Sequence, residues 1–157
     1  VIATNETTTM TIRPILESDI ESIFIIRDSV EENHLTREEA ARLGFTPSSM
    51  KKMLQENCHG WLVKRNSIDA GFVVADKSIG KIHGLFIRPE FEGCGLGKEL
   101  LIQAENWLFD QGLSEVWLTT TYNAELRAYS FYKHLGYRLD GKAPNNQIRF
   151  IKTLASK

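Results

Sequence analysis

The segment with the clearest chemical meaning is Arg88-Pro89-Glu90-Phe91-Glu92-Gly93-Cys94-Gly95-Leu96-Gly97-Lys98, in which three glycines alternate. Glycine takes positive φ without strain and lets the backbone come close to a ligand. Where such a loop opens a helix, unpaired N–H groups and a partial positive charge make an anion site suited to a diphosphate. Two familiar phosphate loops do not fit. In the P-loop pattern Gly-x-x-x-x-Gly-Lys-Ser/Thr, Glu92 occupies the first glycine position and Glu99 the Ser/Thr position. The dinucleotide fingerprint Gly-x-Gly-x-x-Gly would need its third glycine at Lys98. The plainer alternative is a tight strand-to-helix turn that needs glycine for shape alone. Cys94 sits where a helix start can lower a thiol pKa, but no motif places His or Asp beside it, and it reads as a loop residue.

Several elements must hold this loop in place. Thr9–Pro14 alternates as a short strand, and Ser18 with Glu21 has the spacing of a capping box. The helix that follows runs to Ser29, with Ile20, Ile23, Phe24 and Arg27 at helical spacing. Arg37–Leu43 and Thr46–Glu56 read as two more helices, the second with Pro47 in its first turn. Trp61–Lys64 and Ile68–Ala75 are strands around the hairpin turn Arg65-Asn66-Ser67, and Lys81–Ile87 is a third. From Leu96 a strongly amphipathic helix sets Leu100, Leu101, Ala104, Trp107 and Leu108 on one face and ends near Gly112. Glu115–Thr121 is a strand, Ala124–Leu135 a helix stopped by Gly136, and Tyr137–Leu139 and Gln147–Thr153 close the chain as strands. Hairpins early and a helical crossover late predict an α/β fold: a mixed sheet flanked by helices, in one domain over residues 1–157.

Composition narrows the function classes. With 157 residues, 42% hydrophobic and 25% charged, the chain is an ordinary globular domain. A net charge of −1 argues against nucleic-acid binding and against attachment to anionic membrane by charge alone. No stretch approaches the roughly 20 apolar residues of a spanning helix. The first residues carry no basic-then-apolar pattern, so no signal peptide is expected. The two cysteines, Cys58 and Cys94, form neither a disulfide framework nor a zinc pattern. A reducing cytoplasmic setting and no metal are the expectation.

The loop Glu92-Gly93-Cys94-Gly95-Leu96-Gly97 resembles the cofactor motif of the GNAT-type N-acetyltransferase superfamily. Downstream, Ala128-x-x-Phe131-Tyr132-x-x-x-Gly136-Tyr137 is similar to that family's second motif, in the same order and with a helix and strand between. Two positions depart from the pattern: Glu92 replaces Gln or Arg, and Glu125 stands where Asn is common, with Asn123 two residues earlier. A carboxylate repels a diphosphate, so binding would fall to the backbone amides of Gly93, Cys94, Gly95, Leu96, Gly97 and Lys98.

The resemblance implies transfer of an acetyl group from acetyl-CoA to a primary amine by direct attack on the thioester. It implies that the pantetheine arm pairs with the strand edge at Leu85, Phe86 and Ile87, that Asn123 touches the cofactor, and that Tyr132 protonates the departing thiolate. Phe131, its neighbour, is expected to be the core residue of the two. The family's usual base position falls near Lys81, a poor base at its ordinary pKa of about 10.4. His83, one alternation along, is the better candidate. The acceptor would lie against the first helices, near Arg27, Glu31, Glu32, Asn33 and His34. The acceptor is a small molecule or peptide, and two copies could pair through sheet edges, as the family often does. Two other readings stay open: an acyl-CoA-binding module without turnover, acting as sensor or partner subunit, and a different nucleotide-binding α/β protein.

Overall fold

The computed structural model describes residues 9–30, 36–121, 127–144 and 146–154. In chain order these form β1 (Met10–Pro14), α1 (Ile20–Ser29), α2 (Arg37–Arg42), α3 (Pro47–Gln55), β2 (Cys58–Arg65), β3 (Ile68–Asp76), β4 (Lys81–Ile87), α4 (Leu96–Asp110), β5 (Glu115–Thr121), α5 (Arg127–His134), β6 (Arg138–Ala143) and β7 (Gln147–Thr153). The strands make one seven-stranded sheet in the order β1-β2-β3-β4-β5-β7-β6. Every pairing is antiparallel except β4 with β5, which is parallel and crosses over through α4.

Local chemistry explains most boundaries. Asn66 and Ser67 both have positive φ (51° and 67°), the turn geometry that matches strand twist in a two-residue hairpin. Thr46 caps α3 by accepting the Ser49 N–H, with Pro47 in the first turn. The expected Ser18/Glu21 capping box does not form. Asp19 sits at the start of α1 instead, and its carboxylate accepts the Leu16 N–H at 2.7 Å and both Arg13 guanidinium nitrogens at 2.7 and 2.8 Å. These charge-assisted bonds tie the start of α1 back to β1, and the Asp19 side chain makes no cap bond to α1 itself. Strand β2 begins at Cys58, three residues before the expected start, because pairing with β3 continues through Cys58↔Asp76.

Each face of the sheet carries its own core. On one face α4 and α5 bury Leu100, Leu101, Ala104, Leu108 and Tyr132 against Val73, Ala75, Val116, Leu118 and Phe150. On the other, Ile23, Phe24 and Ile26 of α1 and Met50 of α3 cover Leu62, Phe72 and Val74. Burying one such side chain is worth roughly 1.5–3 kcal/mol. The two faces therefore hold β4, which lies between β3 and β5, firmly in the plane of the sheet.

Candidate functional site

The parallel pair β4–β5 is joined at a single register position, Lys81↔Trp117. That point is pinned: the Trp117 backbone N–H donates to the Gly80 carbonyl (3.0 Å), its indole N–H donates to the Ile79 carbonyl (2.8 Å), and the Lys81 ammonium lies 4.9 Å from the indole ring. Immediately beyond, the β3–β4 register shifts between Val74 and Ala75, where Gly84 and Ile82 take successive partners and His83 has none. His83 is thus a β-bulge residue. A bulge bends its strand and ends regular pairing, and here β4 leaves β5. From Ile82 to Ile87, the β5-facing edge of β4 has no register partner among the described residues, while its other edge stays bonded to β3.

The open edge leads into the glycine loop. Arg88 anchors the end of β4, its side chain donating to the Asp69 carbonyl at 2.7 Å and its backbone N–H to Ala70 at 2.8 Å. A short turn over Pro89–Phe91 follows. Gly93 and Gly95 have φ of +77° and +81°, which side-chain-bearing residues rarely adopt. Gly97 has an ordinary φ and lies against Phe131, where a Cβ would make a contact of 3.4 Å to the ring. The first backbone bond of α4 runs from Glu99 N–H to the Gly95 carbonyl (3.2 Å). The amides of Leu96, Gly97 and Lys98 lie ahead of it and have no preceding turn to pair with.

Strand edge and helix start border one cleft of about 430 Å³. Its walls are Leu85, Phe86 and Ile87 of β4; Phe91, Glu92, Gly93 and Gly95 of the loop; Leu96, Gly97 and Lys98 of α4; Phe131, Tyr132, His134 and Leu135 of α5; and Val30 after α1. One end is rich in backbone amides and the middle is apolar, as a ligand with a charged head and a long uncharged arm requires. Lys98 is exposed at the rim.

The structure brings together most residues singled out from sequence. Leu85, Phe86, Ile87, Gly93, Gly95, Leu96, Gly97, Lys98 and Tyr132 all line the cleft. Cys94 belongs to the loop but not to the cleft wall; its thiol is exposed and lies 3.8 Å from the Glu92 carbonyl. Asn123, Glu31, Glu32, Asn33 and His34 lie outside the described residues. Arg27 is buried, with its guanidinium 3.4 Å from Asp28 and 5.6 Å from the Phe24 ring; it does not line the cleft, although Val30, one turn on, does.

The expectation for the Phe131–Tyr132 pair is reversed. Tyr132 is the buried one, packed among Phe131, Tyr137 and Phe150, whereas Phe131 is half-buried against the glycine loop. Phe131 on α5 and Leu135 just after it, four residues apart, add to the apolar wall of the cleft. Burial pushes the Tyr132 phenol above its ordinary pKa, so it stays protonated at neutral pH.

His83 is not in the cleft wall. It lies two residues before Leu85 on β4, about 7 Å along the strand. Its Nε2 is 3.3 Å from Oδ2 of Asp76. Cys58 is next to them, and the three donor atoms fall within 4.8 Å of one another. Such a donor set could hold a zinc-like ion. However, Asp76 Oδ1 already accepts the backbone N–H and hydroxyl of Ser78, and burial with the Asp76 charge pushes the Cys58 thiol up to about 12, against the thiolate a metal needs.

Residues 20–137 match the model of the acetyltransferase (GNAT) family. An uncharacterized N-acetyltransferase of Archaeoglobus fulgidus is 32% identical over 98 residues, 49% of this chain and 65% of that protein. One from Methanocaldococcus jannaschii is 26% identical over 115 residues, 60% of this chain and 49% of that protein. The chain thus spans between about half and two-thirds of the length of these curated relatives. Among solved structures, the PaiA N-acetyltransferase of Thermoplasma acidophilum in complex with coenzyme A superposes with a TM-score of 0.76 at 20% identity, covering 92% of this chain and 99% of that one. A GNAT-family acetyltransferase of Staphylococcus aureus gives 0.77 at 15% identity, covering 94% and 100%. No helix among the described residues is long and apolar enough to cross a membrane. With a family match across most of its length, and a fold shared with both structures, the chain belongs to the GNAT acetyltransferase family.

Proposed function

We propose that this protein transfers an acetyl group from acetyl-CoA to a primary amine. The observation that carries this reading is the divergence of β4 from β5 directly into the N-terminus of α4. It gives the pantetheine amides an unpaired strand edge at Leu85–Ile87, and the diphosphate a set of free amides at Gly93–Lys98, in one cleft. On this reading the pantetheine arm runs back along β4 from Ile87 toward His83, four residues or about 13 Å of strand, and the thioester would lie near the bulge.

In the proposed reaction the neutral amine attacks the thioester carbon. The C–N bond forms, and the carbonyl becomes an oxyanion held by backbone N–H groups of the bent strand. Collapse breaks the C–S bond. The proton from the former amine passes to a base, for which His83 is the candidate, and Tyr132 supplies a proton to the thiolate. The products are an amide and free CoA. Glu92, at the cleft rim, opposes the cofactor's charge, and the amides and Lys98 offset it.

The test is a screen of amines, polyamines, amino acids and peptides for acetyl-CoA-dependent thiol release. Release with one class identifies the acceptor. Binding of acetyl-CoA with no release from any class would overturn turnover and leave an acyl-CoA-binding module.

A further inference from the structure

We infer that Asp76 is a positioning residue that fixes the His83 imidazole in the tautomer with a proton on Nε2 and the lone pair on Nδ1, making His83 the base of the proposed transfer. This rests on the acetyl-transfer reading but is argued from a separate group of contacts.

The arrangement begins in the turn after β3. Ser78 donates its backbone N–H (2.9 Å) and its hydroxyl (2.5 Å) to Oδ1 of Asp76. That fixes the carboxylate plane and turns Oδ2 toward His83, 3.3 Å from Nε2. A carboxylate only accepts hydrogen bonds, so a neutral imidazole in this position must carry its proton on Nε2. Nδ1, on the ring side next to the strand backbone, is then the acceptor, with no hydrogen-bond partner among the described residues. That backbone is where β4 bulges away from β5, and where the acetyl-transfer reading puts the thioester.

The surrounding groups suit a base. The His83 and Asp76 side chains are only 22% and 16% exposed. Burial holds the imidazole below its ordinary pKa, with the Lys81 charge adding to this effect, while Asp76 pulls the other way. The Cys58 thiol, on β2 beside Asp76, stays protonated and adds no charge. His83 is therefore neutral at pH 7. The purely structural alternative is that Asp76 only caps its turn and gives a buried histidine a partner. It would fix the same tautomer but leave turnover indifferent to Asp76.

The test uses nitrogen-15 NMR of the full chain, with His83→Asn to assign the signal. In the wild type, His83 is expected to show protonated Nε2 and unprotonated Nδ1, titrating below pH 6.5. Asp76→Asn retains an oxygen acceptor for Ser78 but can turn an amide donor toward Nε2. It is expected to move the proton to Nδ1 and to lower the titration midpoint further. Thiol release with the acceptor found above should fall at least tenfold, chiefly in kcat, since substrate contacts are untouched. A wild-type Nδ1–H tautomer overturns the inference, whatever becomes of the variant. So does an Asp76→Asn protein with unchanged thiol release. If the wild type releases no thiol with any amine, the acetyl-transfer reading fails and the role of His83 as base fails with it; the tautomer measurement then reports only whether Asp76 fixes the ring.

Discussion

Tyr132→Phe is expected to lower acetyl transfer by about a hundredfold or more while leaving the fold intact. The ring is held by packing: its centroid lies 5.2 Å from Phe131 and 5.8 Å from both Tyr137 and Phe150. Phenylalanine preserves all of these contacts. The hydroxyl, by contrast, has no hydrogen-bond partner among the described residues and sits at the cleft wall, so removing it orphans nothing. Because burial raises the phenol pKa, the proton is present throughout the neutral range, and no loss of activity should trace to Tyr132 ionising below pH 10. The comparison is steady-state thiol release with thermal unfolding of both proteins. A variant that melts with the wild type and turns over within twofold of it would remove Tyr132 from the reaction.

The largest loss of stability is expected at Glu105. It is 6% exposed, on α4, facing Tyr137 and Lys152 of β7. One carboxylate oxygen accepts the Tyr137 hydroxyl at 2.7 Å and the other the Lys152 ammonium at 3.0 Å. These two bonds tie α4 to the segment after α5 and to β7. Burial, then the Glu105 charge, pushes the Tyr137 phenol far above its usual range, so it serves only as a donor. Glu105→Leu keeps the volume but leaves a buried hydroxyl and a partly buried ammonium without their partner. Removing one member of such a group costs about 3–5 kcal/mol. For a domain of this size that lowers the melting temperature by roughly 10 °C. Urea unfolding measures it directly, with Glu105→Gln expected to lose less because it still accepts from Tyr137. A change below about 1 kcal/mol would mean the network is as weak as a surface ion pair.

These two residues show different limits of reading the sequence. Tyr132 was visible through a motif, but its burial relative to Phe131 was not: adjacent helical positions differ by 100°, and only the packed sheet decides which one faces the core. Glu105 is masked in the sequence by the apolar stripe Leu101–Ala104–Leu108 around it. A charged residue four after Leu101 and three before Leu108 lies on that same stripe, and this is the signal that would have found it. The glycine loop was legible because positive φ demands glycine, and Gly93 and Gly95 both meet that demand. The β-bulge at His83 left no such mark, since it arises from the register of β4 against β3, which no residue type at that position spells out. Asp76 escaped for the same reason: it reaches His83 only because β3 and β4 pair across a turn. The start of α1 at Asp19 was not legible either, because the Arg13 side chain that holds Asp19 comes from β1 and is within reach only in the folded sheet.

Thermal unfolding with acetyl-CoA, and with CoA, NAD and ATP as controls, tests the central claim most directly. A ligand at about 100 times its Kd adds roughly 2.7 kcal/mol to native stability, a rise of about 5 °C or more in a domain of this size. The structure predicts that rise with acetyl-CoA and CoA and none with NAD. No shift with millimolar acetyl-CoA on folded protein would contradict it, because the strand edge at Leu85–Ile87 and the amides of Gly93–Lys98 would then not be a coenzyme A site.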